Sequence, residues 1–148
     1  LGDGRKKQWI ETFIQDHSLH ETVCCLGRFS LEAMPSFFEK ADVMLVSLKD
    51  EPIFNLTLPA KTQAYMMSGK PIIGMMNGEG QNIINDAKCG YCVNAGEYEA
   101  LSRSILLLSK MEKQELQSLG ENGKKFALAN FDKSVLLNQL YSDIQSIG

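Results

Sequence analysis

Asn55-Leu-Thr57-Leu-Pro59-Ala-Lys61-Thr-Gln-Ala64-Tyr-Met-Met-Ser-Gly69, running directly into Lys70-Pro71-Ile-Ile-Gly-Met-Met76, is the stretch that decides the fold. A polar loop ends in Thr57, an N-cap candidate, and Pro59 opens a helix with Lys61 in its first turn. Gly69 closes that helix, and Lys70-Pro71 lead into a strand apolar enough to be buried. A helix start of this kind offers unpaired backbone N–H groups and a partial positive charge. Phosphate is the ligand that suits it best. Taken alone, Thr57 and Pro59 do no more than begin a helix, and the loop that follows shifts the balance.

That loop is Asn77-Gly78-Glu79-Gly80-Gln81-Asn82, set between Ile72–Met76 and the helical Ile83–Ala87. Its two glycines let the backbone approach a ligand closely. A strand, a glycine loop and a helix in that order make an anion or ribose site. Gly-x-Gly by itself is common in turns and carries little weight.

Composition narrows the class. The chain has 148 residues, enough for one domain with a real core. Hydrophobic residues make up 44% and charged residues 22%, which is globular composition. A net charge of −3 argues against a sequence-independent nucleic-acid binder. Apolar runs such as Ile105–Leu108 are far too short to cross a membrane, and the opening residues do not read as a signal peptide.

Cys89-Gly-Tyr-Cys92 has the spacing of a redox or zinc motif. A thioredoxin-type pair opens a helix after a strand, whereas this pair follows a helix and enters a strand. Zinc needs four converging ligands, and Cys24-Cys25 are adjacent, facing opposite sides if extended. Core cysteines in a reducing cytoplasm are the expectation. His17 and His20 read as exposed residues at the end of the first helix. No clustered Asp-x-Asp occurs, and Asp42, Asp50 and Asp86 read as cap or surface residues.

Working outward, Leu1-Gly2-Asp3-Gly4 reads as the exit of a strand of which one residue is present. The expectation is a piece of a longer chain, or one lacking its first residues. A helix from about Arg5 to His17 follows, with Trp9, Ile10, Phe13 and Ile14 as its buried stripe. Thr22–Leu26 reads as a short strand ending in Gly27-Arg28-Phe29. A helix from Leu31 or Pro35 to Lys40 turns Phe37 and Phe38 inward, and Val43–Val46 reads as a buried parallel strand. Ser47–Leu58 is a loop long enough to suggest function. After the Pro59 helix, the Ile72 strand and the Asn82 helix comes a strand around Tyr91–Val93. Everything from Glu97 reads as helical. Leu101, Ile105 and Leu108 form one stripe, and Leu116, Leu119, Phe126 and Leu128 lie in a second helix, interrupted near Gly120 and Gly123. The last helix runs from about Asp132 to Ile147, with Leu136, Leu140 and Ile144 on one face. Lys110–Glu115 reads as a solvated face.

Strands alternating with helices imply an α/β fold, an open and mostly parallel sheet covered on both faces with right-handed crossovers. Ligands then bind outside the carboxyl ends of the strands. The loops at Gly2–Gly4, Gly27–Phe29, Ser47–Thr57 and Asn77–Gly80 are expected to converge there.

In this order the chain resembles the C-terminal donor-binding domain of a GT-B glycosyltransferase, of the group 1 (family four) class and the polysaccharide-assembly type. The carriers are Leu1-Gly2-Asp3-Gly4, Leu26-Gly27-Arg28, Phe38–Val43, Pro59–Ile73, Gly78-Glu79-Gly80, Cys89-Gly90-Tyr91 and Gly120–Lys124. The resemblance implies a three-layer Rossmann-like domain with a mostly parallel sheet and C-terminal helices. It makes residues 1–148 a single nucleotide-sugar-binding domain, the C-terminal half of a two-domain enzyme. It implies that the base sits near Gly27, Arg28 and Phe29, and the diphosphate at Ala60 and Lys61. The sugar then faces the Glu51–Thr57 loop, with Asn55, and Gly78, Glu79 and Gly80 border the site. Lys61 adds a charge-assisted contact to phosphate.

The class commonly has two glutamates eight positions apart, the second five residues before the glycine and on the ribose hydroxyls. Leu56 and Ala64 stand at those positions, with Glu51, Gln63 and Glu79 as substitutes nearby. The basic pair that often neutralises the diphosphate belongs upstream of Leu1. The implied partners are a nucleotide-sugar donor, UDP-sugar or another, and the enzyme's own N-terminal acceptor-binding domain. No metal, cofactor, nucleic acid or catalytic residue within this chain is implied. The class is cytoplasmic, with room for peripheral association of the full-length enzyme at the inner face of the membrane. A nucleotide-sugar epimerase of the same architecture and a non-catalytic flavodoxin-like module are the alternatives. A dinucleotide dehydrogenase would need a third glycine where Lys7 stands. Alone, the chain is expected to bind nucleotide weakly and turn nothing over.

Overall fold

Three short apolar runs become a parallel sheet in the computed structural model, which describes residues 2–147. They are β1 (Met44–Ser47), β2 (Ile72–Met75) and β3 (Gly90–Val93), side by side in that order. Met44 stands beside Ile72, and Ile72 beside Gly90. The helices are α1 (Lys7–Asp16), α2 (Met34–Lys40) after a 3₁₀ turn at Leu31–Ala33, α3 (Pro52–Asn55), α4 (Ala60–Met67), α5 (Glu79–Asp86), α6 (Tyr98–Leu108), α7 (Lys113–Asn130) and α8 (Lys133–Ile147). The chain divides into two compact units, Leu1–Phe37 and Phe38–Gly148.

In the second unit, parallel strands need crossovers, and α4 and α5 supply them. Met44 and Val46 of β1, Ile72, Met66 of α4 and Ile84 of α5 form one core with Met76, Cys89 and Ala127 of α7. Met66, Ile72, Met76 and Ile84 have no exposed surface, and each such side chain contributes about 1.5–3 kcal/mol. Ile73 and Leu108 are buried outside that cluster, where α6 packs on β2 and β3. Helices therefore lie on both faces, but cover is incomplete. Val43–Val46 was expected to be buried throughout; instead burial alternates along β1, with Val46 3% and Leu45 52% exposed. β1 pairs only with β2 among the described residues, and α6 packs on β2 and β3, which leaves Leu45 exposed on that face.

Gly120 and Gly123 do not interrupt α7, which is continuous over 18 residues. They let it lie close to its neighbours. A methyl group on Gly120 would fall on the carbonyl of Gly69, and one on Gly123 would come 2.9 Å from Cys89 Cβ. Glu112 and Glu115 form a capping box at the start of α7. Along α8, Leu136, Leu137, Leu140, Tyr141 and Ile144 are all at least half exposed.

The first unit departs further from expectation. Thr22–Leu26 forms no strand, since no ladder partner is present among the described residues. The α1 stripe is not buried either: Trp9 is 62% and Phe13 41% exposed, and Ile14 is half-buried. His17 is exposed as expected, with Nδ1 3.0 Å from the Phe13 carbonyl and its ring stacked on Phe13. Leu1 lies outside the described residues.

Candidate functional site

The start of α4 is built differently from its sequence signature. Pro59, with φ −62° and ψ 132°, holds the N-cap position itself, and no side chain caps the helix. Thr57, the expected cap, donates backwards to the carbonyls of Ile53 at 3.0 Å and Phe54 at 3.4 Å. The cause is α3: Pro52 starts a single helical turn inside the Ser47–Leu58 loop, and its end competes for the hydroxyl. The first intrahelical bond of α4 runs from the Thr62 N–H to the Pro59 carbonyl, 2.8 Å. The amides of Ala60 and Lys61 therefore precede the helical ladder. Thr62 is wholly buried, and its hydroxyl finds no partner among the described residues.

The start of α5 lies alongside. Gly78 caps it with φ 72° and ψ −142°, a conformation side-chain-bearing residues avoid, and again no side chain caps the helix. A methyl group on Gly78 would fall on the Asn55 backbone carbonyl, and one on Gly80 would come 3.3 Å from the Pro59 ring. The glycines thus bring two uncapped helix starts together at the carboxyl ends of β1 and β2. The structure joins Asn55, Gly78 and Gly80 at one place, with Ala60, Lys61 and Glu79 on the adjoining first turns. Glu51 precedes α3, exposed, with Oε1 4.0 Å from Lys49 Nζ.

A polar chain ties these loops to the one after β3. Asp50 accepts from Asn55 Nδ2 at 2.9 Å. Its carboxyl is held below the usual range by that bond first and by the Asn77 amide second. Asn77 Oδ1 accepts from the Ala95 N–H at 3.0 Å. Gln81 donates to Asn94 at 3.2 Å, and Asn94 Nδ2 to Glu97 at 3.1 Å. Beside this chain lies a hollow of about 420 Å³, lined by residues that include Lys49, Asp50, Met75, Ala95 and Tyr98. Asp50 is exposed, as expected of a surface residue, and it also holds the Asn55 side chain. Sequence reasoning placed Asn77 in a candidate loop but gave no role to the Asp50 or Asn94 side chains; their signal was a polar residue within a few positions of a strand's end.

Gly27, Arg28 and Phe29 belong to the first unit. There the Gly2 N–H donates to the Gly27 carbonyl at 2.7 Å, so the loops at Gly2–Gly4 and Gly27–Phe29 lie together. Phe29 meets Phe37 edge to face, with centroids 4.6 Å apart, and Arg28 is exposed. Convergence holds within each unit: these two loops in one, the loops after β1, β2 and β3 in the other. Cys89 and Cys92 sit in or against the core as free thiols, and burial pushes both up to about 11.

A search among curated protein sequences gave no match. The structure is similar to that of sucrose-phosphate synthase from Thermosynechococcus elongatus, with a TM-score of 0.77 and 22% identity. The match covers 98% of this chain and 36% of the synthase chain, so the likeness is one of fold, a GT-B Rossmann-like domain, over about a third of the longer protein. The family model for glycosyl transferases, group 1, matches residues 1–126. With a parallel sheet, uncapped helix starts at its carboxyl edge and a family match over most of its length, the chain belongs to the group 1 glycosyl transferases.

Proposed function

We propose that this chain holds the nucleotide-diphosphate-sugar donor of a glycosyltransferase that transfers a sugar to a polysaccharide or lipid-linked acceptor. The observation that carries this reading is the pair of uncapped helix starts, α4 and α5, meeting at Pro59 and Gly80 on the carboxyl edge of the sheet. Their free amides suit the two phosphates of the donor. Lys61, exposed in the first turn of α4, adds a positive charge. Family membership favours a transferase over an epimerase or a flavodoxin-like module.

Glycosyl transfer needs a stabilised diphosphate leaving group and an acceptor held against the anomeric carbon. In this reading the present residues serve the first need. A separate N-terminal domain serves the second, and residues 1–148 are the donor-binding half. The base lies against Gly27, Arg28 and Phe29, and the sugar faces Glu51, Asn55 and Thr57. The site works without a resident cofactor. Free thiols fit a reducing compartment, so the reading places the protein in the cytoplasm. No helix among the described residues is long and apolar enough to cross a membrane.

A UDP titration followed by backbone-amide NMR tests this, with GDP and NAD as controls. Affinity near millimolar, about −4 kcal/mol, is expected. Shifts should fall on Arg28–Phe29, Ala60–Lys61 and Gly78–Gly80, and Lys61→Ala should weaken them about threefold, as an exposed charge contact does. Absence of shifts at those amides with UDP and GDP alike refutes the reading.

A further inference from the structure

We infer that Tyr98 is the floor of a saccharide subsite: its exposed ring stacks on the C–H face of a pyranose of the acceptor, so that this chain contributes to acceptor binding alongside a separate domain. Tyr98 opens α6 and is 73% exposed, and its side chain has no hydrogen-bond or ring partner among the described residues. Two hollows meet at it. One, of about 420 Å³, includes Lys49, Asp50 and Met75 in its lining; the other, of about 410 Å³, includes Glu97, Glu99 and Arg103. Gly96 and Tyr98 line both. A methyl group on Gly96 would meet no atom within 4 Å, so the space beside the ring is open.

The lining has the chemistry of a sugar site. An aromatic face carries partial negative charge, and a pyranose offers it a patch of weakly positive C–H groups. The hydroxyls around that patch both donate and accept, and the rim answers with the carboxylates of Asp50 and Glu97 and the cations of Lys49 and Arg103. The ring is also presented by a stiff turn. The Glu97 N–H donates to the Asn94 carbonyl at 3.1 Å, Asn94 Nδ2 donates to the Glu97 carboxylate at 3.1 Å, and the Tyr98 N–H donates to the Gly96 carbonyl at 3.0 Å. Less freedom is then lost on binding. Position makes the saccharide an acceptor. Ser47 and Met75, the last residues of β1 and β2, line the first hollow, so it lies at the carboxyl edge of the sheet. Two hydrogen bonds join its lining to the donor loops: Asn55 Nδ2 to Asp50 at 2.9 Å, and the Ala95 N–H to Asn77 Oδ1 at 3.0 Å. Saccharide and donor thus have neighbouring places on one edge. The acceptor role rests on the donor-site reading; the saccharide subsite does not.

The test is a backbone-amide NMR titration of the full chain with cellobiose, maltose and N,N′-diacetylchitobiose, each with and without UDP. Sorbitol, which has hydroxyls but no ring face, is the control. At least one disaccharide should shift the amides of Ala95–Glu99 and Lys49–Asp50, with a Kd of about millimolar. Tyr98→Ala should weaken it about fivefold, the loss of one aromatic contact, while the amides of α7 stay in place and UDP binding is unchanged. Tyr98→Phe, which keeps the ring, should bind within about twofold of the wild type. UDP should leave the disaccharide affinity within about twofold, because the two ligands bind together. Absence of shifts at Ala95–Glu99 with all three disaccharides, equal shifts with sorbitol, or undiminished binding by Tyr98→Ala overturns the subsite. Displacement of the disaccharide by UDP overturns the acceptor role and assigns the hollow to the donor. Disaccharide shifts at Ala95–Glu99 with no shifts from UDP support the subsite and refute the donor-site reading.

Discussion

Gly120→Ala sets two effects against each other, and the structure decides their sign. In a helix interior the change should stabilise by about 1 kcal/mol from propensity alone. Here the new methyl would fall on the Gly69 carbonyl, with Lys70 Cα 3.2 Å away. Both obstacles are backbone, so no side chain can swing aside. α7 would have to retreat from α4 by about 1 Å, and a gap of that size forfeits a quarter to a half of the dispersion contacts along the seam. The seam includes Gly123 over Cys89 and Met66, and buried Ala127. Overpacking of this kind costs about 3 kcal/mol, leaving a net destabilisation of about 2 kcal/mol after the propensity gain. For a chain of this size that lowers Tm by about 4–8 °C. Urea unfolding followed by circular dichroism measures it, with exposed Lys125→Ala as a control within about 0.5 kcal/mol of wild type. If Gly120→Ala proves as stable as the wild type, or more so, α7 does not lie on Gly69 and the packing argument fails.

Other substitutions probe the remaining features. Gly78→Ala should cost about 3 kcal/mol from strain and collision with Asn55, and should abolish the UDP-induced shifts; a neutral outcome in melting and titration would refute the tight turn. With their pKa values raised to about 11, Cys89 and Cys92 are protonated thiols at pH 8. Iodoacetamide should therefore label exposed Cys24 and Cys25 first, and mass spectrometry should show the other two reacting only as pH approaches 11 or on unfolding. Leu137→Glu and Leu140→Glu on the exposed face of α8 should change stability by less than about 0.5 kcal/mol, and a larger loss in urea would mean that face is packed.

What the sequence made legible were features decided locally. The Pro59 helix, the Ile72 strand and the glycine that opens α5 follow from proline, apolar runs and glycine punctuation within a few residues. What it hid depended on partners. Thr22–Leu26 has strand composition, yet a strand exists only beside another, and none pairs with it here. Thr57 looked like a cap until α3 turned its hydroxyl the other way. Gly120 looked like a break because helix propensity is local, whereas its reason for being glycine is Gly69, some fifty residues earlier. The site was half legible for the same cause. Amides at helix starts can be read from sequence, but the bonds of Asp50 to Asn55 and of Asn77 to Ala95 exist only once the loops are brought together.

The uneven cover of β1 bears on handling. Hydrogen bonds from Met44 N–H to Pro71 and from Leu48 N–H to Met75 show which edge of β1 faces β2. By alternation the amides of Leu45 and Ser47 point to the opposite edge, which no described strand pairs, and the Leu45 side chain is exposed on the adjoining face. Such an edge is a template for another extended segment, including one from a second molecule. Concentrated samples should then associate through sheet extension, lose solubility on storage, and be protected by a single charged gatekeeper, Leu45→Lys.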